Sequence, residues 1–197
     1  MNGKLIVLGA SALLLSACST VLPQPEEIVG AAAPTIQMAV DAKTGEFRIT
    51  TKASEACRQA GEDVNGCFEV GRNKVVFARF QLGNSPGWQL QKIRICLGEN
   101  EATQNCNLTP WNRLEFVAAK NRDSEFLLPD NQGIINVADL GTDLDSFFLA
   151  TQNLYEQWWY YQLQVCPSGS SPDTAADDAK CVWNVDPPMK NRGRRTF

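Results

Sequence analysis

Short stretches in which apolar and polar residues alternate dominate the chain after residue 35. In Glu46–Lys52, for example, Phe47, Ile49 and Thr51 share one side, which is typical of a half-buried strand. The pattern predicts strands at Glu46–Lys52, Lys74–Leu82, Trp88–Leu97, Arg113–Ala119, Glu125–Leu128, Gly133–Val137, Tyr155–Cys166 and Cys181–Val185. Only Asp143–Thr151 is predicted to form a short helix, with Asp143 as its N-cap.

Two of these strands carry further information. The alternation changes phase once in Trp88–Leu97, and this change predicts a β-bulge near Gln91. In Tyr155–Cys166 one face is expected to be core, and it consists of Trp159, Tyr161, Leu163 and Val165. Short strands at regular spacing, separated by turn-rich segments, predict an all-β fold, an antiparallel β-sandwich.

The cysteines predict three cross-links in this sandwich. The chain has seven cysteines, and six of them follow residue 50: Cys57, Cys67, Cys96, Cys106, Cys166 and Cys181. Six cysteines allow 15 pairings, but each neighbouring pair brackets a polar segment of the kind that joins adjacent strands. We therefore predict Cys57–Cys67, Cys96–Cys106 and Cys166–Cys181, each stabilising the fold by about 3 kcal/mol. No pair has CxxC spacing and the chain has no histidine, so no metal site is predicted.

The beginning of the chain has the features of a secretion signal. Lys4 precedes an apolar stretch, Leu5–Leu15, that is too short to remain in a bilayer as a spanning helix. The residues Leu15-Ser16-Ala17-Cys18 resemble the lipobox of bacterial lipoproteins. That resemblance implies acylation of Cys18, with palmitate among the attached chains, and nearly permanent anchoring in the lipid bilayer. Ser19 after this cysteine resembles the default for sorting to the outer membrane in Gram-negative lipoproteins, on either its periplasmic or its surface side.

These observations divide the chain into four parts. Residues 1–17 are the predicted lipoprotein signal peptide, and residues 18–35, which contain three prolines, are a linker next to the lipid. Residues 36–189 are the predicted β-sandwich domain, and residues 190–197 are a basic tail.

The amino-acid composition argues against several classes of function. The absence of histidine excludes Ser-His-Asp and Cys-His catalytic centres and imidazole metal ligation. No phosphate-binding loop and no dinucleotide-binding glycine motif is present, so no cofactor is predicted. The chain has 22 acidic and 18 basic residues, a formal net charge of −4, which together with secretion argues against a nucleic-acid partner.

The C-terminal third contains two resemblances to known domains. The acidic turn region Asp139–Asp145 followed by Tyr161-x-Leu163-x-Val165-Cys166 is similar to the penultimate strand of immunoglobulin-like domains, in which a tyrosine corner braces the preceding loop. The later run from Asp186-Pro187 to Asn191-Arg192 resembles small bacterial immunoglobulin-like proteins with an Asp-Pro motif and no assigned activity, although Met189 replaces the expected isoleucine. The resemblance covers about 35 residues; it implies an immunoglobulin-like sandwich and no particular function.

The polar face of Tyr155–Cys166 contains the first candidate site. Trp158 and Tyr160 would form an aromatic platform for a protein partner or a sugar ring if they were exposed. The alternative is that a loop or a neighbouring strand covers this second face as well. We favour that alternative from the sequence, because an exposed aromatic pair is costly.

Charged residues provide the other candidates. Asp139, Asp143 and Asp145 are spaced like calcium ligands but lack the order of an EF-hand loop, so a solvated turn is favoured. The basic tail has the charge to bind lipid phosphates or an acidic partner, although a solvated terminus is favoured there too. Glycoside hydrolysis requires a pair of carboxylates, and the candidates for such a pair are Glu115, Glu125, Asp130 and Asp145.

Two functions remain. The favoured one is a non-enzymatic binding or assembly module of the cell envelope, anchored in the outer membrane through Cys18. It would contact an envelope protein through Trp158, Tyr160 and the loop Pro167–Lys180. The alternative is a protein that binds or cleaves envelope carbohydrate, with an aromatic platform beside two carboxylates about 5 to 9 Å apart.

Overall fold

The structure, a computed structural model, describes residues 34–70, 76–98, 105–120, 126–152, 156–170, 179–184 and 187–192. The predicted signal peptide, the predicted acylation site Cys18 and nearly all of the predicted linker therefore lie outside the described residues. The strands are β1 (Thr35–Val40), β2 (Phe47–Ile49), β3 (Phe68–Val70), β4 (Val76–Leu82), β5 (Trp88–Leu97), β6 (Phe116–Ala119), β7 (Ile134–Asn136), β8 (Ser146–Thr151), β9 (Glu156–Pro167), β10 (Val182–Trp183) and β11 (Pro188–Arg192). The helices are α1 (Glu55–Gln59), α2 (Pro110–Arg113) and a 3₁₀ helix (Val137–Leu140).

Two sheets pack face to face, which confirms the predicted all-β sandwich. The first sheet has the order β2-β1-β4-β8-β6, and the second has the order β3-β11-β9-β5-β7 with β10 also paired to β9. The series β1-β4-β8-β6 opposite β11-β9-β5 matches the ABED and GFC sheets of constant-type immunoglobulin domains. Strands β2, β3, β7 and β10 are additions to that plan.

Two parallel pairs depart from the predicted antiparallel arrangement. β1 pairs in parallel with β4, and β3 pairs in parallel with β11. Between β1 and β4 the chain passes through β2, α1 and β3, and so crosses to the edge of the second sheet before it returns. This long excursion replaces the tight turn that would have made β1 and β4 antiparallel.

The predicted helix at Asp143–Thr151 is wrong, because residues Ser146–Thr151 form β8. Phe147 and Leu149 face the core between the sheets, while Ala150 on the opposite face is buried with Val117 and Ala119. Burial on both faces makes the segment apolar throughout, so the alternation that identifies a strand is lost.

The end of the sandwich also differs from the prediction. Residues 190–192 belong to β11, which pairs with both β9 and β3, so the basic tail predicted from Lys190 begins three residues too early. The strand predicted at Cys181–Val185 is present only as the two residues of β10, and β11 is a further strand beyond it; both pair with β9. Residues 193–197 lie outside the described residues.

An aromatic cluster joins the two sheets. The ring of Phe80 in β4 stacks on Phe147 at 5.1 Å and meets the edge of Tyr161 in β9, also at 5.1 Å between centroids. Phe116 and Trp159 form a second edge-to-face pair across the sheets at 4.7 Å. The inward face predicted for β9 is thereby confirmed, since Trp159, Tyr161, Leu163 and Val165 are all fully buried.

The three predicted disulfides are present. Cys57–Cys67, Cys96–Cys106 and Cys166–Cys181 have sulfur–sulfur distances of 2.05, 2.02 and 1.95 Å. Cys57 lies in α1, whose first turn is capped by the Ser54 side chain, and its link to Cys67 fixes this helix next to β3. The disulfide and Ala53 form a small apolar cluster against which Trp158 packs.

Tyr161 braces a different loop from the one that the immunoglobulin resemblance implies. Its buried hydroxyl donates a hydrogen bond of 2.7 Å to the carbonyl oxygen of Gly66, not to the acidic loop before β9. Gly66 has a positive φ of 88°, and a Cβ atom there would lie 2.7 Å from the Tyr161 hydroxyl. Tyr161 therefore connects the core to the loop closed by Cys57 and Cys67.

We expect Tyr161→Phe to lower the free energy of unfolding by about 1 to 2 kcal/mol at neutral pH, because the Gly66 carbonyl would lose its buried donor. Burial also raises the pKa of Tyr161 well above its ordinary value. Above pH of about 10 the unfolded chain therefore releases a proton that the folded chain retains, and stability falls by up to about 1.4 kcal/mol per pH unit. Tyr161→Phe should make this alkaline decline shallower, as measured by urea unfolding between about pH 8 and 11.

Ser168→Ala removes a hydroxyl from an exposed residue and is the matched control, with an expected change within about 0.5 kcal/mol. The role assigned to this hydroxyl would be contradicted if Tyr161→Phe and the wild type were equally stable at neutral pH. It would also be contradicted if the free energy of unfolding fell with pH at the same rate in both proteins above pH of about 10.

Candidate functional site

The predicted contact surface of Trp158 and Tyr160 is not an open platform. Tyr160 is only 4% exposed, which corrects its assignment to an exposed surface. Trp158 is half-buried against the disulfide of α1, and the Lys190 ammonium lies 4.9 Å from its ring centroid. The segment that covers Trp158 comes from residues 53–67, about 90 positions earlier in the chain, so nothing in the β9 sequence indicates it.

A second cation–aromatic pair lies on this outer face of the second sheet. The Arg94 guanidinium is 4.9 Å from the ring centroid of Trp183, and it also donates a hydrogen bond of 3.2 Å to Gln162. These contacts, like the one between Lys190 and Trp158, hold neighbouring strands together. On this face the rings of Trp158 and Trp183 each already contact a cation, so they do not form an open platform for a sugar.

The carboxylates considered for glycoside hydrolysis are bound in separate local contacts. Glu115 is 1% exposed and accepts a hydrogen bond of 2.9 Å from the Thr151 hydroxyl. Asp130 accepts from the backbone of Gln132 and Ile134 within one turn, and Asp145 accepts from the Ser146 hydroxyl. Glu125 lies outside the described residues.

A polar cleft of about 480 Å³ lies at one end of the sandwich and is the strongest candidate for a binding site. It is formed by the beginning of β5, the end of β7 with the 3₁₀ helix, and two loops. Its polar lining consists of Gln89, Gln91, Asn136, Asp139, Thr142, Asp143 and Ser170. Ser170 belongs to the predicted contact loop Pro167–Lys180, of which residues 171–178 are not described.

The β-bulge predicted near Gln91 is confirmed and shapes this cleft. The register between β5 and β9 shifts between Leu90 and Lys92. Gln89, Leu90 and Gln91 are consequently all buried, although a regular strand would alternate between two environments. The bulge thus brings Gln91 into the lining of the cleft, where only 1% of the residue is exposed.

Gly141 forms the opposite rim and ends the 3₁₀ helix. Its backbone angles, φ 148° and ψ 163°, lie in a region that is almost restricted to glycine. A Cβ atom here would also lie 2.8 Å from the Lys120 Nζ. A side chain at this position would therefore strain the turn and displace the lysine from the rim.

Residues of the cleft provide several hydrogen-bond acceptors, namely the carboxylates of Asp139 and Asp143 and two amide oxygens. The Asn136 Nδ2 donates to Asp139 Oδ1 at 2.9 Å, and because a carboxylate only accepts, this bond fixes the direction of the amide. The Asn136 Oδ1 is then buried without a hydrogen-bond partner among the described residues, as is the Gln91 Oε1. Such a site is suited to groups that donate hydrogen bonds, such as hydroxyl or ammonium groups.

Of the three aspartates considered as calcium ligands, Asp139 and Asp143 line this cleft. Asp143 has a positive φ of 50° at the turn, and Asp145 is directed to Ser146 instead. In the part of the chain that the structure describes, no three Cys, Asp or Glu side chains come together as a metal-ligand group. The sequence indicated a turn here but not the cleft, because Gln91 and Asn136 lie on other strands.

Comparison with known proteins does not identify a family for this sequence. No protein-family model matches this sequence, and no curated protein matches it as a relative. None of the described helices has the length and apolar character needed to cross a membrane.

We expect Gln91→Met to leave the free energy of unfolding unchanged or to raise it by up to about 1 kcal/mol, because it removes a buried acceptor that has no partner. Thr151→Val is the contrasting variant, since it deletes a buried hydroxyl bonded to Glu115 and should lower stability by about 1 to 3 kcal/mol. Chemical denaturation of both variants is the measurement. If Gln91→Met lowered the free energy of unfolding as much as Thr151→Val does, the Gln91 amide would be shown to stabilise the fold.

Proposed function

We propose that this protein is a non-enzymatic binding module of the bacterial cell envelope, anchored in the outer membrane by lipid on Cys18. The lipobox-like residues before Cys18 support the anchor, and the cleft supports binding. The observation that carries the proposal is that β1 runs towards the end of the sandwich that contains the cleft, so the chain joins the domain away from that end. A module tethered in this way keeps its binding site apart from the point where the tether joins it.

The strand directions establish this arrangement. β4 runs from Val76 towards Leu82, whose backbone N–H donates to Asp145 at the end that contains the cleft. β1 is parallel to β4 and begins level with Arg79, midway along β4, where the Pro34 carbonyl accepts from the Arg79 backbone N–H. The three residues from Arg79 to Leu82 span about 10 Å, which gives the approximate distance along the strands between the start of β1 and the cleft end. The sixteen residues from Ser19 to Pro34 could extend by up to about 50 Å.

The lipid anchor is tested by metabolic labelling with a palmitate analogue. The wild type should be labelled and should fractionate with outer membranes, whereas Cys18→Ser should lose the label and accumulate as an unprocessed precursor. Ser19→Ala keeps the acylated thiol and is the matched control, with unchanged labelling. Labelling of Cys18→Ser, or processing that globomycin does not inhibit, would contradict the anchor.

A second candidate function, binding of envelope carbohydrate, is favoured by the acceptors of the cleft. Saccharide hydroxyls would supply the hydrogen-bond donors that the amide oxygens of Gln91 and Asn136 lack. The cleft volume of about 480 Å³ is also large enough for a small saccharide. Asp139 and Asp143 also provide two carboxylates. However, the described lining contains no aromatic ring beside them, which distinguishes the cleft from the platform that the sequence suggested.

We expect soluble fragments of envelope glycans, titrated by calorimetry, to bind the wild type more tightly than Gln91→Met by about tenfold, the loss typical of one hydrogen bond. Thr44→Ala, on the exposed turn between β1 and β2, should bind like the wild type. Release of new reducing ends would indicate an enzyme instead. Equal affinity of Gln91→Met and the wild type would contradict binding in this cleft.

A further inference from the structure

Two residues that line the cleft carry amide oxygens without hydrogen-bond donors. Gln91 is 1% exposed, and its Oε1 has no partner among the described residues. The buried Oδ1 of Asn136 likewise has none there, and the cleft of about 480 Å³ has room for a ligand beside both residues. A buried oxygen without a donor costs free energy, so a ligand that donates hydrogen bonds would be stabilised by this lining.

Two amides of the lining use an N–H group for bonds within the wall itself. The Asn136 Nδ2 donates to Asp139 Oδ1 at 2.9 Å, and the Gln89 Nε2 donates to the Ser170 carbonyl at 3.4 Å. The first of these bonds also gives the Asp139 carboxylate a fixed partner at the cleft. Both amides thus direct a donor towards the protein, and the Asn136 oxygen is left for a ligand.

The charge of the lining favours a cation among the ligands that donate hydrogen bonds. Asp139 and Asp143 are exposed side chains of the lining, and the described lining contains no lysine or arginine. Two cations stand outside the lining: Lys120, whose Nζ lies beside Gly141, and Lys92 in β5. They oppose a bound cation through water and salt, which screen such interactions, whereas the two carboxylates can bond it directly.

We propose that the cleft binds a primary ammonium group, carried by an amino sugar or by an alkylamine. The inference rests on the proposed binding role of the cleft and names the chemical class of its ligand. An ammonium has three N–H donors and no acceptor, so it matches a lining that offers carboxylates and unpaired amide oxygens. A neutral hydroxyl would also bond the amide oxygens, but its bonds to Asp139 and Asp143 would lack the second charge.

The test compares glucosamine with glucose, and butylamine with butanol, because the members of each pair differ by an ammonium in place of a hydroxyl. Binding to the full chain is measured by ligand-observed NMR at about pH 6, where the amines are protonated, and about 0.15 M salt. Each ammonium ligand should bind about two- to fivefold more tightly than its hydroxyl counterpart, the range of an exposed ion pair. The tighter of the two ammonium ligands identifies the source.

Asp143→Asn removes one carboxylate of the lining. It should weaken binding of the ammonium ligands by about two- to fivefold and leave binding of the hydroxyl ligands unchanged. Asp143 has a φ of 50°, a conformation that asparagine also adopts, so the turn should be kept. Asp145→Asn makes the same change of charge two residues away, outside the described lining, and is the matched control, with all affinities unchanged.

The outcomes separate this inference from the proposed function. Equal binding of the ammonium and hydroxyl ligands, weakened alike by Gln91→Met, would retain the cleft as a binding site and overturn the proposed ligand class. A preference for ammonium that persists in Asp143→Asn, or that Asp145→Asn reduces equally, would also overturn it. Failure of all four ligands to bind would do the same, and if the envelope glycan fragments also fail to bind, the binding role of the cleft falls with it.

Discussion

Burial of β9 on both of its faces is the constraint on which the rest of the structure depends. One face supplies Trp159 and Tyr161 to the aromatic cluster between the sheets. The other face carries Trp158 and Tyr160, which would expose a large apolar area if nothing covered them. The segment 53–67, which its disulfide closes into a loop, packs against Trp158 and covers part of this face. The Tyr161 hydroxyl reaches Gly66 in this same segment, so the core and its cover are held together through one strand.

This requirement also accounts for the departure from a regular immunoglobulin-like topology. The covering segment lies between β1 and β4, and the chain must cross from the first sheet to the second to place it. β3 is formed on that excursion and pairs with β11 at the sheet edge. Pairing at this edge satisfies backbone groups that would otherwise remain open to another chain. β1 and β4 are parallel because the chain between them first crosses to the second sheet, where it packs beside β9.

The sequence predicted what depends on local pattern. The inward face of β9, the bulge near Gln91 and the three disulfides all follow from neighbouring residues, because alternation, a phase change and short polar loops are local signals. The same alternation is visible at Ile36, Met38 and Val40, which form the inward face of β1, a strand that the prediction omitted. β8 was assigned wrongly because burial of both faces removes its alternation.

Features that join distant parts of the chain could not be predicted in this way. The cover of Trp158 comes from a segment about 90 residues earlier, and the cleft combines Gln91, Asn136 and Ser170 from three parts of the chain. Secondary-structure propensity and hydrophobic periodicity describe a single segment of the chain. The lining of a cleft depends instead on how several segments are placed relative to one another. The lipobox-like motif is local, and for that reason it is the part of the functional hypothesis that the sequence alone supports best.

The position of the unpaired amide oxygens is the strongest argument that the cleft is functional. Other buried polar atoms lack a hydrogen-bond partner among the described residues, for example Arg79 Nε in β4 and Trp159 Nε1 in β9, but they lie on separate strands of the body. Gln91 Oε1 and Asn136 Oδ1 instead belong to residues that line one cleft. An unpaired buried oxygen costs stability that a simple substitution would recover, so two in one cleft are not explained by folding alone. A ligand that donates hydrogen bonds would supply what both oxygens lack.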